Sequence, residues 1–248
     1  MRIAIVGGTG FTGRHVAVAA LNLGHEAVMV ARSTGADLMT GVGVAAALEG
    51  VDAVIDVTNA SSNDAESSRR VFGTMTRNLL TAEQRAGVRH HVLLSIVSIA
   101  RLPHVPHYAG KLAQEALVQE GRVPFTIVRA TQFHEFGEMM VQWNRTGDSA
   151  TIPPLRLQPV AAADTGSVLT EVATQAPRNG WFELAGPERL DLVDMARRTL
   201  AARRQSVLVT AGWSGGFDET AAGDPFLPGP DARIAPTSFD AWLRALGA

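Results

Sequence analysis

Residues 1–31 constrain the fold more than any other stretch. Arg2 to Val6 (RIAIV) is a short, apolar, branched run, the pattern of a strand buried on both faces. Gly7-Gly8-Thr9-Gly10-Phe11-Thr12-Gly13 follows without a gap. Arg14 to Leu23 then has helical spacing, with Val16, Ala19, Ala20 and Leu23 on one side, and Gly24-His25 ends it. Glu26 to Ala31 (EAVMVA) reads as a second strand. A strand, a glycine loop, a helix and a strand in this order leave few folds open. One glycine permits a tight turn, one lets the backbone approach a pyrophosphate, and one lets helix and strand pack closely. The start of the helix offers free N–H groups and a partial positive charge to phosphates. The unit predicts dinucleotide binding through Gly7, Thr9, Gly10, Phe11, Thr12 and Gly13. The spacing is Gly7-x-x-Gly10-x-x-Gly13, not the G-x-G-x-x-G of the commonest dehydrogenases.

The end of the second strand indicates which dinucleotide. A cofactor without a 2′-phosphate usually meets an acidic residue there, on the ribose 2′-hydroxyl. Here the strand runs into Ala31-Arg32-Ser33. A guanidinium welcomes a 2′-phosphate through charge-assisted hydrogen bonds. Arg32, with Arg14 nearby in sequence, predicts NADPH over NADH.

The alternation continues. Gly35 to Leu38 reads as a short third strand and Gly43 to Leu48 as a short helix. Val51 to Thr58 (VDAVIDVT) is a buried-type strand whose Asp56 is expected near a solvated end. After the polar loop Ser61 to Ser68, a helix is expected from about Arg69 to Ala86, stopped by Gly87. His91 to Ile99 is the next strand, and a proline-broken loop leads to a helix reaching about Gln119. Pro124 to Arg129 is a further strand. Thr165 to Ala176, Arg189 to Arg203 and Ser238 to Leu246 look helical, with strands at Trp181 to Leu184 and Ser206 to Val209. The glycine- and proline-rich run Gly212 to Pro236 reads as a loop or arm. Alternating strands and helices through about residue 130 predict an α/β fold with a doubly wound parallel sheet. The expected division is a nucleotide-binding core over residues 1–150 and a small substrate-binding part over 151–248.

Composition closes several other routes. A net charge of −2 without a run of one sign gives no basic face for nucleic acid. Cysteine is absent, which removes disulfides, thiolate metal sites and cysteine nucleophiles. The longest apolar stretch, Val92 to Ala100, is too short to span a bilayer, and Met1-Arg2 leads straight into a strand rather than a signal peptide. A cytoplasmic protein, monomeric or homodimeric, is expected.

The chain has one tyrosine and one lysine, Tyr108 and Lys111, three positions apart. Every other basic side chain that is not histidine is arginine. Arginine is a planar fork that stays protonated, whereas lysine is a point charge whose pKa a pocket can move. An ammonium group here can hold a ribose hydroxyl and acidify a neighbouring donor.

With these features the chain resembles the short-chain dehydrogenase/reductase superfamily. It is most similar to the atypical branch that includes NmrA-like proteins and NAD(P)H-binding quinone reductase relatives. Besides the glycine loop, the resemblance rests on Val51-Asp52-Ala53-Val54-Ile55, Val92-Leu93-Leu94-Ser95, Lys111-Leu112-Ala113-Gln114-Glu115 and Thr126-Ile127-Val128-Arg129. It extends to the segments Gln158 to Asp164 and Glu183 to Glu188. The resemblance implies a Rossmann domain with a small C-terminal substrate-binding part. Cofactor contacts are then expected from Arg32, Ser33, Asp37, Leu38, Thr58, Asn59 and Lys111, besides the loop. Active members place tyrosine four before lysine, but here that position holds His107 and Tyr108 is three before. Both offsets leave the side chains on roughly one face, about 40° and about 60° from Lys111 around the axis. The proton donor is Tyr108 or His107, or neither acts and Lys111 works alone. Ser95, with Ser98 as the alternative, matches the family serine that binds a carbonyl oxygen.

Phe133, His134, Phe136, Met139, Met140 and Trp143 follow the strand ending at Arg129. They fall near the carboxyl end of the sheet, where ligands bind. Phe133, His134, Met139 and Trp143 are the expected lining of an apolar substrate pocket. No metal site is expected: His104-x-x-His107 lies beside prolines without a nearby carboxylate. Gly212 to Gly216 (GWSGG) fits a hydrolase elbow formally but lacks the strand-to-helix context. The expected activity is NADPH-dependent reduction of a small apolar carbonyl, quinone or enone compound. The competing class is a non-catalytic dinucleotide-binding redox sensor of NmrA type.

Overall fold

A computed structural model describes residues 1–60, 62, 64–214 and 217–246. The elements are β1 (Arg2–Val6), α1 (Phe11–Asn22), β2 (Glu26–Val30), α2 (Val44–Ala47), β3 (Ala53–Asp56), α3 (Ala65–Ala86) and β4 (His90–Ile96). They continue with α4 (Pro106–Glu120), β5 (Phe125–Ala130), α5 (Phe136–Trp143), β6 (Arg145–Thr146), β7 (Ser149–Ile152), β8 (Arg156–Leu157), α6 (Ala162–Thr174) and β9 (Gly180–Ala185). The last are β10 (Leu190–Asp191), α7 (Leu192–Ala202), β11 (Leu208–Ala211), β12 (Arg233–Ile234) and α8 (Phe239–Leu246). Seven strands form a parallel sheet in the order β12-β9-β5-β4-β3-β1-β2. This is the doubly wound α/β architecture that the sequence predicts.

The apolar N-terminal run is an interior strand of this order, between β3 and β2, and is buried on both faces: Ile3 to Val6 are fully inaccessible. β1 pairs in parallel with β2 and with β3, and Val6 lies opposite both Val30 and Asp56. The chain passes from β1 to one neighbour and later crosses to the other side. In open α/β sheets such a reversal, here at the carboxyl ends of β1 and β3, is the usual ligand position.

The chain divides into two compact units, Met1–Arg129 with Thr165–Phe182, and Ala130–Asp164 with Glu183–Ala248. In the first, α3 and α4 pack tightly. Gly110 makes this possible, since a Cβ there would collide with the Phe72 ring and the Ser68 hydroxyl. In the second, β6 and β11 flank β7, and β8 pairs with β10. The second unit's α8 is tied down at its start by carboxylates: Asp164 accepts from Thr237 N at 2.9 Å and Glu188 from Phe239 N at 2.7 Å.

Several local expectations change. Gly35 to Leu38 is a turn, not a strand. A 3₁₀ turn at Arg32–Thr34 precedes it and Gly35 at φ +88° ends that turn in the left-handed region. Thr34 Oγ1 locks it by accepting from Ala31 N and donating to Met29 O. α1 begins at Phe11, inside the glycine loop. α3 begins at Ala65, because Asp64 caps it by accepting from Ser67 N at 2.8 Å. β4 stops at Ile96, and Ser98 at φ +54° turns the chain away. Asp56 is not at a solvated end: it is 1% exposed. Within the GWSGG run, Gly215 and Gly216 lie outside the described residues, and Ser214 Oγ donates to Thr151 O at 2.6 Å. Ser61 and Asn63 of the polar loop lie outside them too. Among the described residues no helix is long and apolar enough to cross a membrane.

The packing of α3 on α4 generates a prediction. Gly110→Ala gains helix propensity of about 1 kcal/mol but forces a methyl into Phe72 and Ser68. Overpacking should win, with a net loss of roughly 1–3 kcal/mol in urea unfolding. A stability equal to or above that of the parent protein would show that the two helices can separate freely at this point.

Candidate functional site

The glycine loop is shaped by steric demands that only glycine meets at two places. Gly7 adopts φ +80°, and a Cβ on it would sit 3.1 Å from Val57 O, so the exits of β1 and β3 can touch. Gly13 lies on the first turn of α1, where a Cβ would stand 2.6 Å from Gly8 Cα. The loop therefore folds flat against the helix start. Gly10 is the N-cap of α1, no side chain caps the helix, and its first turn holds no acidic residue. A helix start of this kind carries a partial positive charge that favours an anion. Thr9 and Gly10 are exposed, as is Phe11, whose ring packs edge-on to His15 at 5.3 Å. Thr12 is half-buried. Arg14 Nε donates to Thr9 O at 3.1 Å and so braces the loop.

Parallel pairing brings the ends of β2 and β3 beside this loop. Arg32 and Ser33 are exposed just beyond β2, and the Arg32 guanidinium has no hydrogen-bond or ion-pair partner among the described residues, while its carbonyl accepts from Gly35 N. Asp37 and Leu38 lie in the following turn, where Asp37 Oδ1 accepts from Met39 N at 2.8 Å and Leu38 O accepts from Asn78. Beyond β3, Thr58 is half-buried and Asn59 exposed.

Helix α4 carries the second part of the site. Pro106 opens it at its first turn, where a missing N–H costs nothing. Tyr108, Lys111, Gln114, Glu115 and Val118 recur at intervals of three and four, and all are buried. Lys111 is 3% exposed. Its Nζ donates to Gln114 Oε1 at 2.5 Å and lies 5.5 Å from the centre of the Phe72 ring. Gln114 Nε2 donates to Asp56 Oδ2 at 2.8 Å and to Thr58 Oγ1 at 3.2 Å. Asp56 Oδ1 accepts from Thr58 N at 2.8 Å. An ammonium has three N–H donors. Two of those of Lys111 have no partner among the described residues. Burial pushes its pKa down to about 8, against the charges of Asp56 and Glu115 that hold it up.

Glu115 has its own partner. It takes a bidentate contact from Arg129, at 3.0 Å to Nε and 2.6 Å to Nη2, and Arg129 stacks over Trp181 at 4.2 Å. Farther along α3, Glu83 meets His91 Nδ1 at 2.8 Å with both side chains fully buried. Burial lowers the His91 imidazole, but the Glu83 charge and hydrogen bond outweigh it and the net shift is upward.

The two candidate proton donors differ. His107 packs edge-on to Phe72 at 5.7 Å, and burial, with the nearby Lys111 charge, lowers its pKa to about 4. Its imidazole is neutral at pH 7 and a poor general acid there. Tyr108 is 7% exposed, 6.3 Å from His107 between ring centres. Ser95 is buried at 2% exposure, and its hydroxyl has no hydrogen-bond partner among the described residues. Ser98 is half-buried in the turn beyond the strand.

The expected substrate residues lie in the second unit. Phe133 bridges to Val160. His134 is 1% exposed, its Nε2 lies 3.2 Å from Thr237 O, and its ring contacts Phe239 and Trp242. Met139 is half-buried, while Trp143 is 62% exposed and meets Phe136 at 6.3 Å. Asp56 and Gln114 escaped the sequence reading as site residues. Two signals pointed to them: a carboxylate inside an apolar strand, and a polar side chain three positions after the lone lysine.

Comparison with known proteins gives this chain a family. The model of the family described as NAD(P)H-binding matches residues 34–176. The chain belongs to the NAD(P)H-binding family. A curated relative, the Photosystem II assembly factor Ycf39 of Synechocystis sp., is 29% identical over 184 residues, 65% of this chain and 56% of that protein. A second such factor, from Trieres chinensis, is 28% identical over 54% of this chain and 47% of its own length. The chain thus spans about half the length of these curated relatives. Among solved structures, a dTDP-4-dehydrorhamnose reductase of Clostridium acetobutylicum superposes with a TM-score of 0.76 at 17% identity, over 98% of each chain. The NADPH-dependent quinone oxidoreductase QOR2 of Escherichia coli, complexed with NADPH, gives 0.67 at 16% identity, over 85% of this chain and 78% of that one. At these identities the likeness is one of fold.

The depressed His107 pKa sets a pH dependence. Its folded value, about 4, lies below its unfolded value of 6.5, so the unfolded chain binds the extra proton first as pH falls. Stability is full above pH 6.5 and should fall by on the order of 2–3 kcal/mol between pH 6.5 and 4 on this account. His107→Asn should flatten that part of a stability–pH curve measured by denaturant unfolding. An unchanged slope would remove His107 from the acid limb.

Proposed function

We propose that the chain is an NADPH-dependent reductase of a small apolar carbonyl, quinone or enone compound. The observation that carries this reading is the single lysine, buried on α4, with two ammonium N–H donors left over and in the same unit as the glycine loop. The free guanidinium of Arg32 beyond β2 supports the phosphate-bearing cofactor. Bound NADPH supplies a hydride. Lys111 holds the ribose hydroxyls and keeps positive charge beside them. Ser95, whose buried hydroxyl is unpaired among the described residues, offers a hydrogen bond to a carbonyl oxygen. Were that hydride passed to an electrophilic carbon, Tyr108 or solvent would give the substrate oxygen its proton, since His107 is neutral at pH 7. We assign substrate recognition to Phe133, His134, Met139 and Trp143.

A second reading is a dinucleotide-binding sensor or assembly protein that consumes no cofactor. It is favoured by the placement of Tyr108 three before Lys111 rather than four, and by the curated relatives, which are photosystem II assembly factors.

NADPH oxidation against quinones, aromatic ketones and enones separates the two. The reductase reading expects turnover, reduced roughly 10²-fold or more in Lys111→Ala and in Tyr108→Phe if the phenol is the acid. Tight NADPH binding with no turnover across the panel favours the second reading. Arg32→Ala should weaken NADPH by roughly 10- to 100-fold, the worth of a charged hydrogen bond, and leave NADH almost unchanged. Equal losses for the two cofactors would exclude Arg32 as the selector.

A further inference from the structure

The Asp56 charge reaches Lys111 through one neutral side chain. Gln114 Oε1 accepts from Lys111 Nζ at 2.5 Å, while Gln114 Nε2 donates to Asp56 at 2.8 Å and to Thr58 at 3.2 Å. Gln114 is fully buried, so no water replaces these bonds from bulk. Its amide is oriented without ambiguity: an ammonium needs an acceptor and a carboxylate needs a donor. We propose that Gln114 is a positioning residue, a relay that lets Asp56 on β3 hold the Lys111 ammonium charged and aimed without touching it. The consequence for cofactor binding rests on the assignment of Lys111 to the ribose, but the relay itself does not.

Asp56 and Glu115 both favour the charged ammonium, but only Asp56 is linked to it through a hydrogen-bonded side chain, Gln114. On α4, Glu115 is paired with Arg129 and His107 is neutral. On α3, Phe72 offers a ring face and Glu83 is paired with His91 of β4. Asp56 of β3 is the neighbouring carboxylate without a cationic partner of its own among the described residues, and Gln114 is its contact toward Lys111. A residue that merely filled this space would not set the charge of the lysine.

The lone lysine makes the test direct. In the full chain labelled with [¹³C]lysine, one side-chain signal reports the titration of Lys111. Gln114→Met keeps the volume and removes the acceptor, so the lysine pKa should fall by about one unit, a roughly tenfold loss of proton affinity. Gln114→Glu keeps an acceptor oxygen and adds negative charge, so it should rise above the parent value. The alkaline limb of the NADPH dissociation constant should move with each. Titrations that stay in place, or move in the same direction in both variants, overturn the relay. If Gln114→Met does not fold, the sign in Gln114→Glu decides alone. Opposite shifts in a protein that binds no NADPH at any pH would leave the relay standing and reject the cofactor assignment.

Discussion

An ammonium group held out of water is the interaction on which the first unit is built. Taking a cation out of water is costly unless it is hydrogen-bonded and near opposite charge. Lys111 has an acceptor in Gln114, the face of Phe72, and the fields of Asp56 and Glu115. Those partners come from α3, α4 and β3, so the three elements must stay in close register. Gly110, one residue before the lysine, lets α4 approach α3 closely enough for Phe72 to reach the ammonium. Arginine could not serve here. Its planar fork carries five donors and needs several acceptors in one plane, whereas the site offers a single amide oxygen.

The same contacts reach the nucleotide loop. Asp56 ends β3 and fixes the next turn by accepting from Thr58 N, and Gln114 reaches the Thr58 hydroxyl. Immediately before Thr58, Val57 O stands where a side chain on Gly7 would have to go. The exits of β1 and β3 are thus held against each other from one side by a glycine that has no side chain and from the other by a buried polar chain. Placement of the loop and placement of the lysine are consequences of one arrangement at the carboxyl ends of the sheet.

Much of this was legible in the sequence. The apolar run Arg2 to Val6 and the glycines after it dictate a strand, a turn and a helix by local sterics, and the parallel sheet follows from the alternation of strands and helices. Less legible was anything set by contacts between distant segments. Gly35 to Leu38 carries no signal that Thr34 closes a turn through Met29 O, so it reads as a strand. Asp56 reads as solvated because a carboxylate in an apolar strand usually is; its side-chain partner, Gln114, lies 58 residues away in sequence, on α4. His107 fits a proton donor by position alone, and only its burial beside Lys111 shows that it is neutral. Residues 145–157, too short in their apolar runs to read as strands, are organised by pairing with β10 and β11.

Separating Asp56 from Lys111 by a neutral amide has a chemical consequence. In a direct ion pair, the carboxylate would occupy the ammonium donors and hold them against any incoming hydroxyl. Glu115 with Arg129 shows what direct pairing does in this unit: the bidentate contact takes both carboxylate oxygens. With Gln114 between them, one N–H is fixed, which sets the direction of the side chain, and two have no partner among the described residues. The field of Asp56 still favours the charged form, while burial holds the pKa near 8, so the group is cationic at neutral pH yet close to losing its proton. A charge that is aimed and incompletely satisfied is what a site needs if binding is to complete it.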